Sequence, residues 1–135
     1  MPNPPRREQS DRAWYRPSSD TVGMPSLPLF NSAEEYYSTL FHELAHSTGH
    51  QSRIGREGIE QLNTFGSESY SKEELVAEMG AAMLCGVTGI APTTISNSAA
   101  YLNSWIERLR GDSQLIISAA SAAQKAADYI QGVQS

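Results

Sequence analysis

Apolar positions recur along the 135-residue chain with two different periods, and the change of period marks the elements. Between residues 13 and 24 the pattern is short and interrupted. Ala13-Trp14-Tyr15 reads as the start of order, Arg16-Pro17-Ser18-Ser19-Asp20 as a turn and Thr21-Val22-Gly23-Met24 as a second short strand. This hairpin is the only strand signal in the chain, so the sequence predicts that one edge of 21–24 stays open. Pro25 and Pro28 punctuate a loop. Beyond it the period lengthens to that of a helix, with Tyr37, Leu40, Phe41 and Leu44 as a buried stripe. Ser32 and Glu35 have capping-box spacing, which starts the helix near Ala33, and Gly49 can take the left-handed conformation that ends it.

A polar stretch, 51–70, follows, with a short helix expected at 57–62. Leu75, Val76, Met79, Ala82 and Met83 then line one face of a second long helix behind Ser71, closed by Gly86 and Gly89, with Pro92 opening a linker. A third helix is expected at 98–110, burying Leu102, Trp105, Ile106 and Leu109 before Gly111. A fourth is expected at 113–130, where Ile116, Ala120, Ala123, Ala127 and Ile130 share a face and the small residues permit close packing. The fold class is therefore mainly α, an α+β domain with a short N-terminal β-hairpin and about four main helices. It is expected to span 13–135 behind a flexible tail, 1–12, rich in Pro, Arg, Glu and Asn.

Composition changes this picture little. Hydrophobic residues make up 39% and charged residues 19% of the chain, enough for one core in one domain. No apolar run reaches the length of a membrane span, and a lone cysteine, Cys85, can form no internal disulfide, which fits a cytoplasmic location. The net charge of −5 and pI near 5.1 argue against tight, unaided binding to nucleic acid.

The chemistry lies on the first helix. His42-Glu43-Leu44-Ala45-His46 is H-E-x-x-H, and residues four apart on a helix lie one above the other. His42 and His46 thus aim two imidazoles at one point, as two corners of a tetrahedral Zn²⁺ site require. Glu43, one step round the helix, is placed to take a proton from water. A catalytic zinc needs a third protein ligand. The chain has one more histidine, His50, but the position that would supply a third histidine in H-E-x-x-H-x-x-G-x-x-H holds Ser52. His50 therefore reads as a supporting residue. The second helix offers carboxylates: Glu74 and Glu78, four apart beside its apolar stripe, one to bind metal and one to accept the N–H of a ligand histidine. Glu74 is preferred as ligand, then Glu78, then Glu73. The plainer readings are that Glu74 closes a capping box with Ser71 and that Glu78 faces solvent.

The blocks 36–50, Phe65-Gly66, Tyr70 and Glu73-Glu74-Leu75-Val76-Ala77-Glu78 resemble the C-terminal metallopeptidase domain of ArdC-type antirestriction proteins, which also ends TraC-type conjugation primases. Tyr15, Pro17-Ser18-Ser19-Asp20 and Met24-Pro25 ahead of the helix, and Ser98 to Leu102, Trp105 and 119–130 behind it, extend the likeness over about 13–131. The resemblance implies a zincin-like fold and zinc-dependent peptide hydrolysis with Glu43 as general base. It also implies Glu74 as zinc ligand and Glu78 as support for a histidine, and a peptide or protein as substrate. Tyr70 and Tyr101 are candidate donors to the oxyanion. Relatives usually carry a single-strand DNA-binding domain ahead of this one; none is recognisable in these residues, and DNA binding is not expected of this domain alone. The alternative is a non-catalytic, zinc-stabilised module that shields DNA or captures a protein partner.

Overall fold

The structure, a computed structural model, describes residues 1–61, 68–90, 100, 103–104, 106–107 and 110–133. Strand β1 is Arg6–Gln9, β2 is Trp14–Arg16 and β3 is Thr21–Met24. They form one sheet in the order β1-β3-β2. The expected hairpin is present: β2 runs antiparallel to β3, with Tyr15 opposite Val22, around a turn closed by Asp20 N–H donating to Pro17 O (3.2 Å).

The tail reading of 1–12 is corrected. Arg6–Gln9 pairs parallel with β3, Arg6 opposite Thr21 and Gln9 opposite Met24. Bonds from Arg6 N–H to Asp20 O (2.9 Å) and from Ser10 N–H to Met24 O (3.0 Å) extend the ladder. The edge of β3 expected to be open is thus taken, and β3 is central. β1 gave no hydrophobic signal because all four of its side chains are exposed, so the sheet gains backbone from it and almost no core. Arg53 fastens this N-terminal segment. Its side chain is fully buried and donates to Asn3 O (2.7 Å) and Ser47 O (2.7 Å) and to the carboxylate of Asp20, which also accepts from Tyr15 O–H (2.8 Å).

Helix α1, Ala33–Ser47, starts as expected, with Ser32 Oγ accepting from Glu35 N–H (3.1 Å). It lies beneath the sheet, where Leu40 joins Tyr15, Val22, Met24 and Ile59 in one core. Tyr36 packs against that core, while Tyr37, expected inside, is 42% exposed. Gly49 does not take the left-handed conformation: the chain leaves α1 through Thr48, still right-handed, into successive turns. A 3-10 turn, Glu57–Gln61, stands where a short helix was expected.

Helix α2, Glu68–Thr88, starts earlier than Ser71 and runs through Gly86, to stop before Gly89, whose φ of 73° does need glycine. Ser71 and Glu74 are therefore inside the helix, and the capping-box reading of Glu74 falls. Helix α3, Ser113–Gln131, is capped by Asp112 accepting from Leu115 N–H (2.9 Å) and ended by Gly132 at φ 75°. Leu75 and Val76 of α2 form a second core with Ala119 and Ala123 of α3. Gly80 lies where the three helices meet: a Cβ there would stand 3.4 Å from Ala45 Cβ of α1 and 3.7 Å from Ala123 O of α3. Small residues at this crossing bring α1 and α2 close, and that closeness builds the site. The expected helix at 98–110 falls mostly outside the described residues, as do Leu102, Trp105, Leu109 and the linker at Pro92; Ile106, expected to be buried, is exposed.

Candidate metal centre

The last turns of α1 face the first half of α2. His42 and His46 stack edge to face with ring centroids 4.9 Å apart, as their four-residue spacing requires. Glu74 of α2 reaches both: His42 Nε2 is 3.3 Å from Glu74 Oε2, and His46 Nε2 is 3.2 Å from Glu74 Oε1. The opposite face of each ring meets a different carboxylate. His42 Nδ1 is 2.9 Å from Glu78 Oε2, and His46 Nδ1 is 2.8 Å from Glu73 Oε2. An ionised carboxylate only accepts, so each Nδ1 carries its proton outward and each Nε2 faces inward.

This arrangement fits a metal ion. Ligand atoms from His42, His46 and Glu74 all lie within 4.8 Å of one another. Bonds of roughly 2.0–2.1 Å in a tetrahedron separate the ligand atoms by about 3.3 Å, and the Nε2–carboxylate distances are 3.2 and 3.3 Å. Carboxylates behind both rings fix tautomer and orientation, as around metal-bound histidines generally. The group could hold a divalent ion with no change of side-chain partners behind the rings.

The electrostatics without an ion point the same way. Burial disfavours charge on His42, but bonds to Glu74 and Glu78 outweigh it and raise its pKa to about 10. Burial likewise opposes charge on His46, and bonds to Glu73 and Glu74 raise it to about 9. Glu73 and Glu74 are both lowered: burial pushes them up, but for Glu73 the Arg56 and His46 bonds prevail, and for Glu74 the two histidines do. Both imidazoles are thus pushed toward their charged form by the carboxylates around them, the same surplus of negative charge that a divalent cation between them would offset. Glu43 is buried, and its charge acts on neighbouring His42.

His42, Glu43, His46, Glu74 and Glu78 come together, with Glu78 touching the outer nitrogen of His42. His50 does not join them. Its Nδ1 accepts from Ser52 N–H (3.1 Å) and Ser52 Oγ (2.8 Å), and the ring lines a cavity of about 930 Å³ with Arg12, Trp14, Arg16, Gln51 and Ile59 beside β2. Tyr70 packs in the second core, and Tyr101 lies outside the described residues.

Two residues were missed or undervalued. Glu73, ranked last, is 2% exposed and holds His46. Arg56 carries no motif or periodic signal in the sequence. Its guanidinium forks onto Glu73, Nε to Oε1 at 2.9 Å and Nη2 to Oε2 at 3.0 Å. No spacing rule reaches an arginine in a loop. Charge balance does: four carboxylates gathered around two histidines call for a cation, and the segment joining the two helices holds few.

The profile of the zincin-like metallopeptidases matches residues 5–122. Over 125 residues the chain is 43% identical to a DNA primase TraC of Escherichia coli, covering 93% of this chain and 11% of that protein. It is 38% identical over 129 residues to the uncharacterised protein y4eC of Sinorhizobium fredii (strain NBRC 101917 / NGR234), covering 96% of this chain and 41% of the relative. The crystal structure of the antirestriction protein ArdC from the R388 plasmid in its Mn(II)-bound form superposes with a TM-score of 0.72 at 41% identity, over 95% of this chain and 47% of that one. Its metal-free form gives 0.70 at 42% identity, over 96% and 47%. The chain thus spans less than half the length of each of these relatives.

Proposed function

We propose that this chain, which belongs to the zincin-like metallopeptidase family, hydrolyses peptide bonds in a peptide or protein substrate, using zinc held by His42, His46 and Glu74. The observation that carries this reading is the convergence of both Nε2 atoms on one carboxylate at 3.2 and 3.3 Å, each ring backed by its own acid. When bound, a divalent ion supplies Lewis acidity, lowering the pKa of water and polarising a carbonyl.

The chain's own residues do the rest. Glu43 follows the first ligand directly, one step round the helix, and is buried close enough for its charge to act on His42; it takes the proton from the attacking water and delivers it to the leaving amine. Glu78 and Glu73 hold the two imidazoles by their Nδ1–H groups, so neither ring can turn its protonated nitrogen inward. The close crossing at Ala45 and Gly80 keeps the two ligand-bearing helices in register.

Glu43→Gln keeps the shape and loses the base. It should retain zinc and fold, and cleave an unfolded protein or peptide library at least ~100-fold more slowly. Equal turnover by wild type and variant would overturn the peptidase reading. The names of the relatives, antirestriction protein and primase, favour a second reading, a metal-stabilised module that acts by binding. It predicts zinc uptake by both proteins, no cleavage by either, and a retained partner or DNA.

A further inference from the structure

We propose that Arg56 is a positioning residue for the metal ligands: it clamps Glu73 to the C-terminal end of α1 so that His46 is held with its Nε2 facing Glu74 and His42. The inference rests on the metal reading above and concerns a residue outside the ligand set.

One guanidinium joins three parts of the molecule at His46. Toward α2 it makes a two-pronged pair with Glu73, whose Oε2 is the atom that meets His46 Nδ1. Toward α1, Nη2 donates to Ala45 O (2.7 Å) and more weakly to His46 O (3.4 Å), carbonyls at the negative end of the helix. Nη1 donates to Thr48 Oγ1 (2.7 Å). The fork geometry of arginine satisfies all of these acceptors at once; an ammonium on a flexible stem does not.

The surroundings are shaped for it. Arg56 N–H donates to Gly49 O and Ile54 N–H to Thr48 O, both at 2.9 Å, which folds the loop back onto the end of α1. A Cβ at Gly49 would stand 3.0 Å from Arg56 Nη2, so the glycine leaves room for the guanidinium rather than ending the helix. The pair is almost dry, with Glu73 at 2% and Arg56 at 11% side-chain exposure. A carboxylate so buried is costly without a cationic partner, and the guanidinium is that partner on the side of Glu73 away from His46. Arg56 therefore sets ring orientation at one remove, through Glu73.

Co²⁺ serves as probe, because its visible absorption reports both occupancy and ligand geometry. Wild type, Arg56→Met, Arg56→Lys, Glu73→Gln and the Arg56→Met/Glu73→Gln double variant would be titrated against a chelator, with folding checked by far-ultraviolet circular dichroism. Arg56→Met should bind Co²⁺ about 10- to 100-fold more weakly with a shifted band, the usual range for losing support behind a ligand. Arg56→Lys should recover part of the loss and remains informative if the methionine variant does not fold. The double variant should be no weaker than the weaker single one, since both break the same chain of contacts. Wild-type affinity and an unshifted band in Arg56→Met or Arg56→Lys would overturn the proposal, even with lowered thermal stability. So would additive losses in the double variant. A wild type that never takes up Co²⁺ or Zn²⁺ would instead overturn the metal reading itself.

Discussion

At the scale of single residues, three carboxylates serve two histidines, and their substitutions should separate. Glu74→Ala removes a group that faces both Nε2 atoms, whereas Glu78→Ala removes only the partner of His42 Nδ1. Zinc titration should show about 10- to 100-fold weakening for Glu78→Ala and a larger loss for Glu74→Ala; the reverse order would reassign the ligand. Protons give a second test. In the ion-free protein His42 and His46 hold theirs up to about 10 and about 9, so at pH 7 both must leave when an ion binds. Calorimetry in buffers of different ionisation heat should find about two protons released per ion, and affinity should climb with pH until about 9–10. Stability of the ion-free protein should run the other way. Both folded values lie above the ordinary histidine value of 6.5, so this contribution is complete below that pH and disappears as pH rises through 9 and 10. An ion-free melting temperature that rises between pH 7 and 10 would contradict the geometry.

At the scale of elements, what could be read in the sequence was whatever side chains announce. The hairpin, α1 with its cap at Ser32, and α3 were legible because apolar spacing, a capping residue and turn residues each left a mark. H-E-x-x-H was legible because helical spacing alone makes His42 and His46 neighbours. Glu73 was not, since two adjacent glutamates on a helix differ only by 100° of rotation, and which one meets which histidine depends on how α2 crosses α1. Gly49 and Gly86 misled because a glycine can be kept for space or for nothing local, as well as for a left-handed turn. The sheet carries its own prediction. The face of Gly23 is covered by Trp14, whose ring atoms would lie 2.2–2.7 Å from a Cβ there. Trp14 is held by its N–H to Ser10 Oγ (2.8 Å) and by Arg16 stacked 4.4 Å over the ring. Gly23→Ala should displace the indole and cost about 1–3 kcal/mol, read from the shift in denaturant midpoint; an unchanged midpoint would mean that the ring moves freely. Val22→Pro should unfold the sheet, since Val22 is fully buried in the central strand.

At the scale of the molecule, two cores flank α1 and α2, one under the sheet and one against α3, and the site lies on the interface that joins them. An ion bridging α1 and α2 should therefore stabilise the whole fold rather than one helix. Zinc at 100 times its Kd adds about 2.7 kcal/mol, or roughly 8–10 °C in melting temperature for a chain of this size. Scanning calorimetry with and without zinc checks this, and His46→Ala should abolish the difference. Among the described residues no helix is long and apolar enough to cross a membrane. The net charge of −5 predicts no binding of single-stranded DNA by this chain alone at physiological salt, a point for fluorescence anisotropy.

Strand β1 joins the fold almost entirely through its main chain. Its four side chains are exposed, and among the described residues Arg7 reaches a distant partner, donating to Tyr36 Oη at 3.2 Å. A strand of this kind stores little of its structure in residue identity. Saturating 6–9 with substitutions should leave a nearly flat tolerance map, while Arg6→Pro or Ser10→Pro, each deleting one N–H from the ladder to β3, should stand out against it. Its spelling is free to drift while its place in the sheet stays fixed.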